Sequence, residues 1–117
     1  MLTDHTQPVR GATLPTSTLA HVDAAVCHAL TVLQGRAWSH GATISVVEVS
    51  TDGGRTWDEA TLTGDNDASE GVEWEHPWRP ARAGTHVVVL RTSDSAGAVA
   101  TTEPGIPVTV AAARLAG

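Results

Sequence analysis

The chain has 117 residues, a formal net charge of −6 and 41% hydrophobic residues, enough for one packed domain and against wholesale disorder. Its basic residues are seven arginines dispersed between Arg10 and Arg114 without a run, so the basic patch that tracks a phosphate backbone is missing and nucleic acid is not an expected partner. One cysteine, Cys27, excludes an intrachain disulfide, and the longest near-apolar run, residues 24–33, is too short to span a bilayer, so no membrane partner is expected.

Residues 1–18 are rich in Thr, Pro and Gly without periodicity and read as an irregular arm. Asp4 and His5 stand where a secretory leader would carry positive charge, so no export signal is readable and the compartment stays open. A short helix near residues 23–29 is the one helical expectation. From there the signals are β. ALTVLQGRAW (residues 29–38) is a β-rich run, SHGA (39–42) a turn, and TISVVEVS (43–50) a second strand. TDGGRT (51–56) is a tight loop, and WDEATL (57–62) returns as the second arm of a hairpin. TGDNDASEG (63–71) reads as a polar loop. VEWEHPW (72–78) alternates Trp74, His76 and Trp78 on one face against charge on the other, and Pro77, which has no N–H, points to a sheet edge or a bulge. THVVVLRTSD (85–94) is the strongest strand signal, and PVTVAAA (107–113) a weak last one. About seven short strands with turn residues between them predict an all-β, antiparallel immunoglobulin-like sandwich over residues 19–117. The antibody-type Cys-Trp-Cys pattern is absent, so packing alone holds it.

The densest stretch is Ser50-Thr51-Asp52-Gly53-Gly54-Arg55-Thr56-Trp57, which fits the Asp-box pattern S-x-D-x-G-x-T-W. A carboxylate at Asp52 accepts bonds from loop N–H groups. Gly53 and Gly54 supply positive φ. The Thr56 hydroxyl closes the loop from the far side, Ser50 belongs to the same structural hairpin, and Trp57 packs under it. A propeller needs at least about four blades of some 40 residues each, which this chain cannot supply. The box therefore reads as a structural hairpin rather than a sugar site.

With its flanks, the hairpin resembles the C-terminal dimerisation domain of sulfite-oxidase-type molybdenum enzymes. The resemblance runs from about Leu33 to Gly97. It is carried by a Gly-x-Ala-Trp-Ser turn (Gly35, Ala37, Trp38, Ser39), Val-Glu-Val-Ser, the Asp-Gly-Gly-x-Thr-Trp hairpin, a Trp-x-x-x-Trp strand (Trp74, Trp78) and Arg-x-x-Asp-x-x-Gly (Arg91, Asp94, Gly97). It implies a sandwich that mediates subunit pairing, with molybdopterin held by a separate catalytic domain and no cofactor in this chain. Cys27 matches no motif of that family, so no metal-ligand role is carried to it. The tail after Gly97 departs from the family, lacking the Trp, Tyr and Asn of its closing segment.

Nothing in the sequence forms a credible active site. There is no G-x-S-x-G, and the carboxylate pairs lie in polar turns. Six histidines include no pair at ligand spacing, although His76 and His86 could approach across a sheet. Trp38, Trp74 and Asp94 are expected as core anchors. Trp78 and Arg79, on what reads as an edge strand, are the candidate interface. The expected partner is a second copy in a homodimer or a molybdopterin-domain protein. The alternative is a free-standing recognition module for carbohydrate or a cell-surface protein, which would need exposed indoles.

Overall fold

The computed structural model describes residues 14–22, 25–102 and 104–113. Nine strands carry the described chain: β1 (Thr16–Leu19), β2 (Thr31–Trp38), β3 (Ile44–Ser50), β4 (Asp58–Glu59), β5 (Thr61–Asp67), β6 (Gly71–Trp78), β7 (Gly84–Asp94), β8 (Val99–Thr101) and β9 (Ile106–Val110). They form two antiparallel sheets, ordered β1-β2-β6-β5 and β4-β3-β7-β8, with β9 also on β7. This is the immunoglobulin-type partition of strands.

Side chains alternate across each sheet, and the inward set builds the core. Leu33 and Ala37 come from β2, Val72, Trp74 and Trp78 from β6, Ile44, Val47 and Val49 from β3, and Val88 and Leu90 from β7. In β3 the step from Ile44 to Val47 breaks strict alternation, and the register shift between Ile44 and Val46 restores it. Each such side chain stabilises the fold by about 1.5–3 kcal/mol when fully buried. The Thr92 hydroxyl ties the sheets together by donating to Ser17 Oγ at 2.8 Å.

Several details differ from the sequence expectation. The end of the expected irregular arm is strand β1, which pairs Thr16 to Leu19 with Trp38 to Gly35 of β2; residues 1–13 lie outside the described residues. No helix forms over residues 25–29; Val26 instead bridges Ala111 in parallel, and Asp23 and Ala24 lie outside the described residues. WDEATL splits. Asp58 and Glu59 pair back on β3, Ala60 is buried at the crossing, and Thr61 begins β5 in the other sheet. Most of the supposed polar loop 63–71 is β5, which runs to Asp67 because its outward side chains can stay in water. A three-residue strand, β8, carried too little pattern to be seen.

β6 is not an edge strand; it lies between β2 and β5. The local geometry still accounts for Pro77. Ala20 N donates to Gln34 O at 2.7 Å, so Gln34 directs its backbone groups toward the β1 side and away from β6. Strand parity gives Val32 the same direction, and turns their register partners Glu75 and Pro77 toward the β5 side. The last β5 pair is Thr61 with Glu75. The N–H that Pro77 lacks would thus have faced a side where β5 has already ended, and no ladder bond is lost. Gly35 marks the corresponding limit on β1. A Cβ there would lie 1.8 Å from Thr18 O and 3.0 Å from the Trp74 ring, so only glycine lets β1 lie so close.

Candidate interaction surface

The box loop joins β3 to β4. Gly53 and Gly54 have φ of 75° and 97°, which folds the loop tightly enough for one carboxylate to reach its far side. Asp52 Oδ1 accepts from Ser50 Oγ (2.7 Å), Arg55 N (3.0 Å) and Thr56 N (2.9 Å), and Oδ2 accepts from Thr56 Oγ1 (2.6 Å). Ser50 Oγ in turn accepts from Gly54 N at 2.8 Å, and Gly53 N donates to Val87 O of β7 at 2.9 Å. The Thr56 hydroxyl first, then Thr56 N–H and the Ser50 hydroxyl, hold the Asp52 carboxyl well below the usual carboxylate range. Six hydrogen bonds run among these groups, so the polar atoms a sugar would need are already engaged inside the loop.

Trp57 leaves the loop half-buried, with the Arg91 guanidinium 4.1 Å from its ring centroid. Arg91 Nε also donates to Glu48 Oε1 at 2.7 Å. That bond holds the Glu48 carboxyl below its ordinary value and Arg91 above its own. The stack covers the middle of the outer face of the β3–β7 sheet.

Asp94 builds a second closed turn. It is buried; Oδ2 accepts from Ser39 Oγ at 2.7 Å, and Oδ1 accepts from Ala96 N and Ala98 N, both at 3.0 Å. The Ser39 hydroxyl, then the Ala98 N–H, hold its carboxyl below the usual range. Sequence proximity does not suggest this contact: Ser39 belongs to the turn after β2 and Asp94 to the end of β7.

The remaining site candidates fall as follows. Trp74 is a core residue with 1% exposure, and its Nε1 has no hydrogen-bond partner among the described residues. Trp38 is only half-buried and stands outside the core cluster, because at the end of β2 its side chain points away from the Leu33 and Ala37 face. Trp78 is 9% exposed and belongs to the core cluster. Its indole meets His86 edge-on at 5.2 Å, so it cannot serve as an exposed anchor: its parity is that of Trp74. Arg79 is exposed, and its Nη1 donates to His28 O at 3.3 Å. His76 and His86 do not meet; His76 Nε2 lies 3.8 Å from Asp58 Oδ2, and His86 Nε2 is 2.8 Å from Arg82 O. Among the described residues no three metal-ligating side chains come together.

The feature sequence reasoning missed lies where β2 starts. Leu30 is 55% and Val32 47% exposed, beside exposed Pro77 in register with Val32. The alternation Val32-Leu33-Gln34 could have shown it, since Leu33 had to face the core and Val32 therefore could not.

Comparison with known proteins sets this geometry in context. The family described as Mo-co oxidoreductase dimerisation domain matches residues 6–103. None of the curated proteins matches. Among solved structures, a chain in the crystal structure of the sulfane dehydrogenase SoxCD from Paracoccus pantotrophus is 24% identical, with a TM-score of 0.63 over 74% of this chain. The match covers 23% of that chain. The PKD1 domain of Vibrio anguillarum Epp is 14% identical, with a TM-score of 0.60 over 87% of this chain and 99% of that one. Both likenesses are of fold.

Proposed function

This chain belongs to the Mo-co oxidoreductase dimerisation domain family, and we propose that it works as a non-catalytic pairing module, joining two copies of itself in an enzyme of the sulfite-oxidase type. The observation that carries this is the family match over residues 6–103, nearly the whole sandwich. The site geometry supports it. The Asp52 and Asp94 carboxylates are held by their own loops.

Molybdopterin does not fit the donor set of the described residues. A thiolate ligand for the metal needs access, whereas Cys27 is 9% exposed within the core cluster. Phosphate recognition needs convergent cations. Arg36 instead faces Glu73, Arg91 pairs with Glu48, and Arg79 turns to His28 O. We therefore assign the cofactor to a separate catalytic domain. A carbohydrate-binding role has less support, because Trp74 and Trp78 are buried and Trp57 lies under Arg91.

Sedimentation equilibrium of the chain over a wide concentration range tests the proposal. A monomer–dimer equilibrium is expected. Monomer alone at the highest concentration, together with a one-to-one complex on adding a molybdopterin-domain protein, would replace the self-pairing partner by that protein.

A further inference from the structure

We propose that two copies pair edge to edge through residues 30–33 at the start of β2, about a two-fold axis beside Val32. This rests on the self-pairing reading above and adds the surface. Three observations point to that edge.

The first is backbone. β1 pairing stops at Leu19 with Gly35, and Gln34 O is taken by Ala20 N. By the parity set out above, the next residue facing the same way is Val32. Neither its N–H nor its carbonyl meets a partner on that side among the described residues. Of the described residues that follow β1, Ala25 and Cys27 lie away from it, where Ala25 O and Cys27 N bond with Ala111 beside the other sheet. An antiparallel strand placed there by a two-fold axis satisfies both groups reciprocally, Val32 N–H to the Val32 carbonyl of the second copy and the reverse.

The second is a contrast among edges. An exposed strand edge invites pairing unless it is blunted. β4 is two residues long and both are acidic, Asp58 and Glu59. β5 carries Asp65 and Asp67 and a register break after Thr63. β8 is three residues long, β9 carries Pro107, Pro77 guards the open side of β6, and β1, the outer edge of its sheet, is Thr-Ser-Thr-Leu, whose one large apolar side chain, Leu19, packs against the core. Residues 30–33 read Leu-Thr-Val-Leu, without charge, proline or bulge, and present Leu30 and Val32 to solvent.

The third is charge, which says where a second copy, the occupant that the dimerisation-domain match favours, meets least repulsion. Each chain carries −6, and the acidic groups on β4 and β5 would set two copies against one another there. The outer face of the β2–β6 ribbon runs from the Arg36–Glu73 ion pair past Gln34–Glu75 to the uncharged Val32–Pro77 pair, beyond which Arg79 turns to His28 O. Two like-charged molecules meet at less electrostatic cost at that pair, where single charges of opposite sign, Glu75 and Arg79, lie on either side, than at the acidic β4 and β5 edges.

The test compares the wild-type 117-residue chain with Val32→Arg, Val32→Pro and Val99→Arg by sedimentation equilibrium, with circular dichroism to check the fold. Val32→Arg places charge in the strip. Val32→Pro removes only the open-side N–H, as Pro77 does across the ribbon. Val99, 52% exposed on β8, tests the opposite sheet. The proposal expects both Val32 variants to self-associate at least about tenfold more weakly at unchanged fold, an effect in the range of a central interface side chain, while Val99→Arg pairs like wild type. A wild-type dimer that survives Val32→Arg, or that Val99→Arg breaks instead, overturns the proposed edge and leaves the self-pairing reading standing. A wild type that never pairs overturns both. If Val32→Pro loses the fold, Val32→Arg decides alone.

Discussion

The box loop and the start of β2 are opposite solutions to one problem, what to do with backbone polar groups where a sheet ends. At the box, residues 50–57 turn a tight loop whose N–H groups converge on Asp52, and nothing is left for another molecule. At residues 30–33 the strand runs past its neighbour with an aliphatic surface, and the Val32 N–H and carbonyl on the open side meet no partner among the described residues. The polar, motif-rich region is closed, and the plain aliphatic one is open. In a sandwich held by packing, the residues that stand out in sequence need not be those that meet a partner.

The contrast breaks most severely at Leu33, which is fully buried one residue from Val32. Leu33→Ala should cost about 2–5 kcal/mol of unfolding free energy by denaturant titration. Val32→Ala should stay within about 0.5 kcal/mol, as surface substitutions do. Equal losses at the two positions would mean that Val32 also faces the core and that the open edge does not exist.

Asp52→Ala should have a smaller effect, lowering the thermal midpoint without altering self-association. The sign of its pH dependence follows from the hydrogen bonds. The folded Asp52 carboxyl titrates below its ordinary 3.8, so its contribution is complete above that value and is lost as pH falls through the folded one. The gap in midpoint between wild type and Asp52→Ala should therefore stay constant from neutral pH to about pH 4 and narrow below it. A gap that already closes between pH 7 and 5 would show that the carboxylate is not what fastens the loop.

Much of the architecture was legible because the long strands obey period two. Trp74 had to share a face with Val72, and Val88 with Leu90, and both faces are the core. The box was legible because Asp-Gly-Gly between a β-run and Thr-Trp is local chemistry. What escaped was non-local or short. β1 is four residues, three of them Thr or Ser, whose strand character comes from lying against β2. The break in β4–β5 depends on Ala60 crossing between sheets, with its N–H on Val47 O. Trp78 reads as available only on an edge strand; with β2 and β5 flanking β6, its parity with Trp74 buries it. The β2 edge escaped because its openness depends on where β1 stops, at Gly35, which no local pattern around Val32 records.

The mildest way to sharpen the contrast is through charge alone. The chain carries −6 near neutrality and reaches zero near pH 5.3. If pairing runs through an uncharged strip, lowering the pH from 7.5 to about 5.5 removes mutual repulsion without titrating any group in the strip, and self-association should tighten, by a few-fold on the scale of surface electrostatics. Raising salt at pH 7.5 should act in the same direction by screening the same repulsion. Asp52 keeps its charge throughout this range, so the box stays closed while the edge grows stickier. Pairing that instead weakens as salt rises would require opposite charges facing across the contact, which residues 30–33 themselves do not carry.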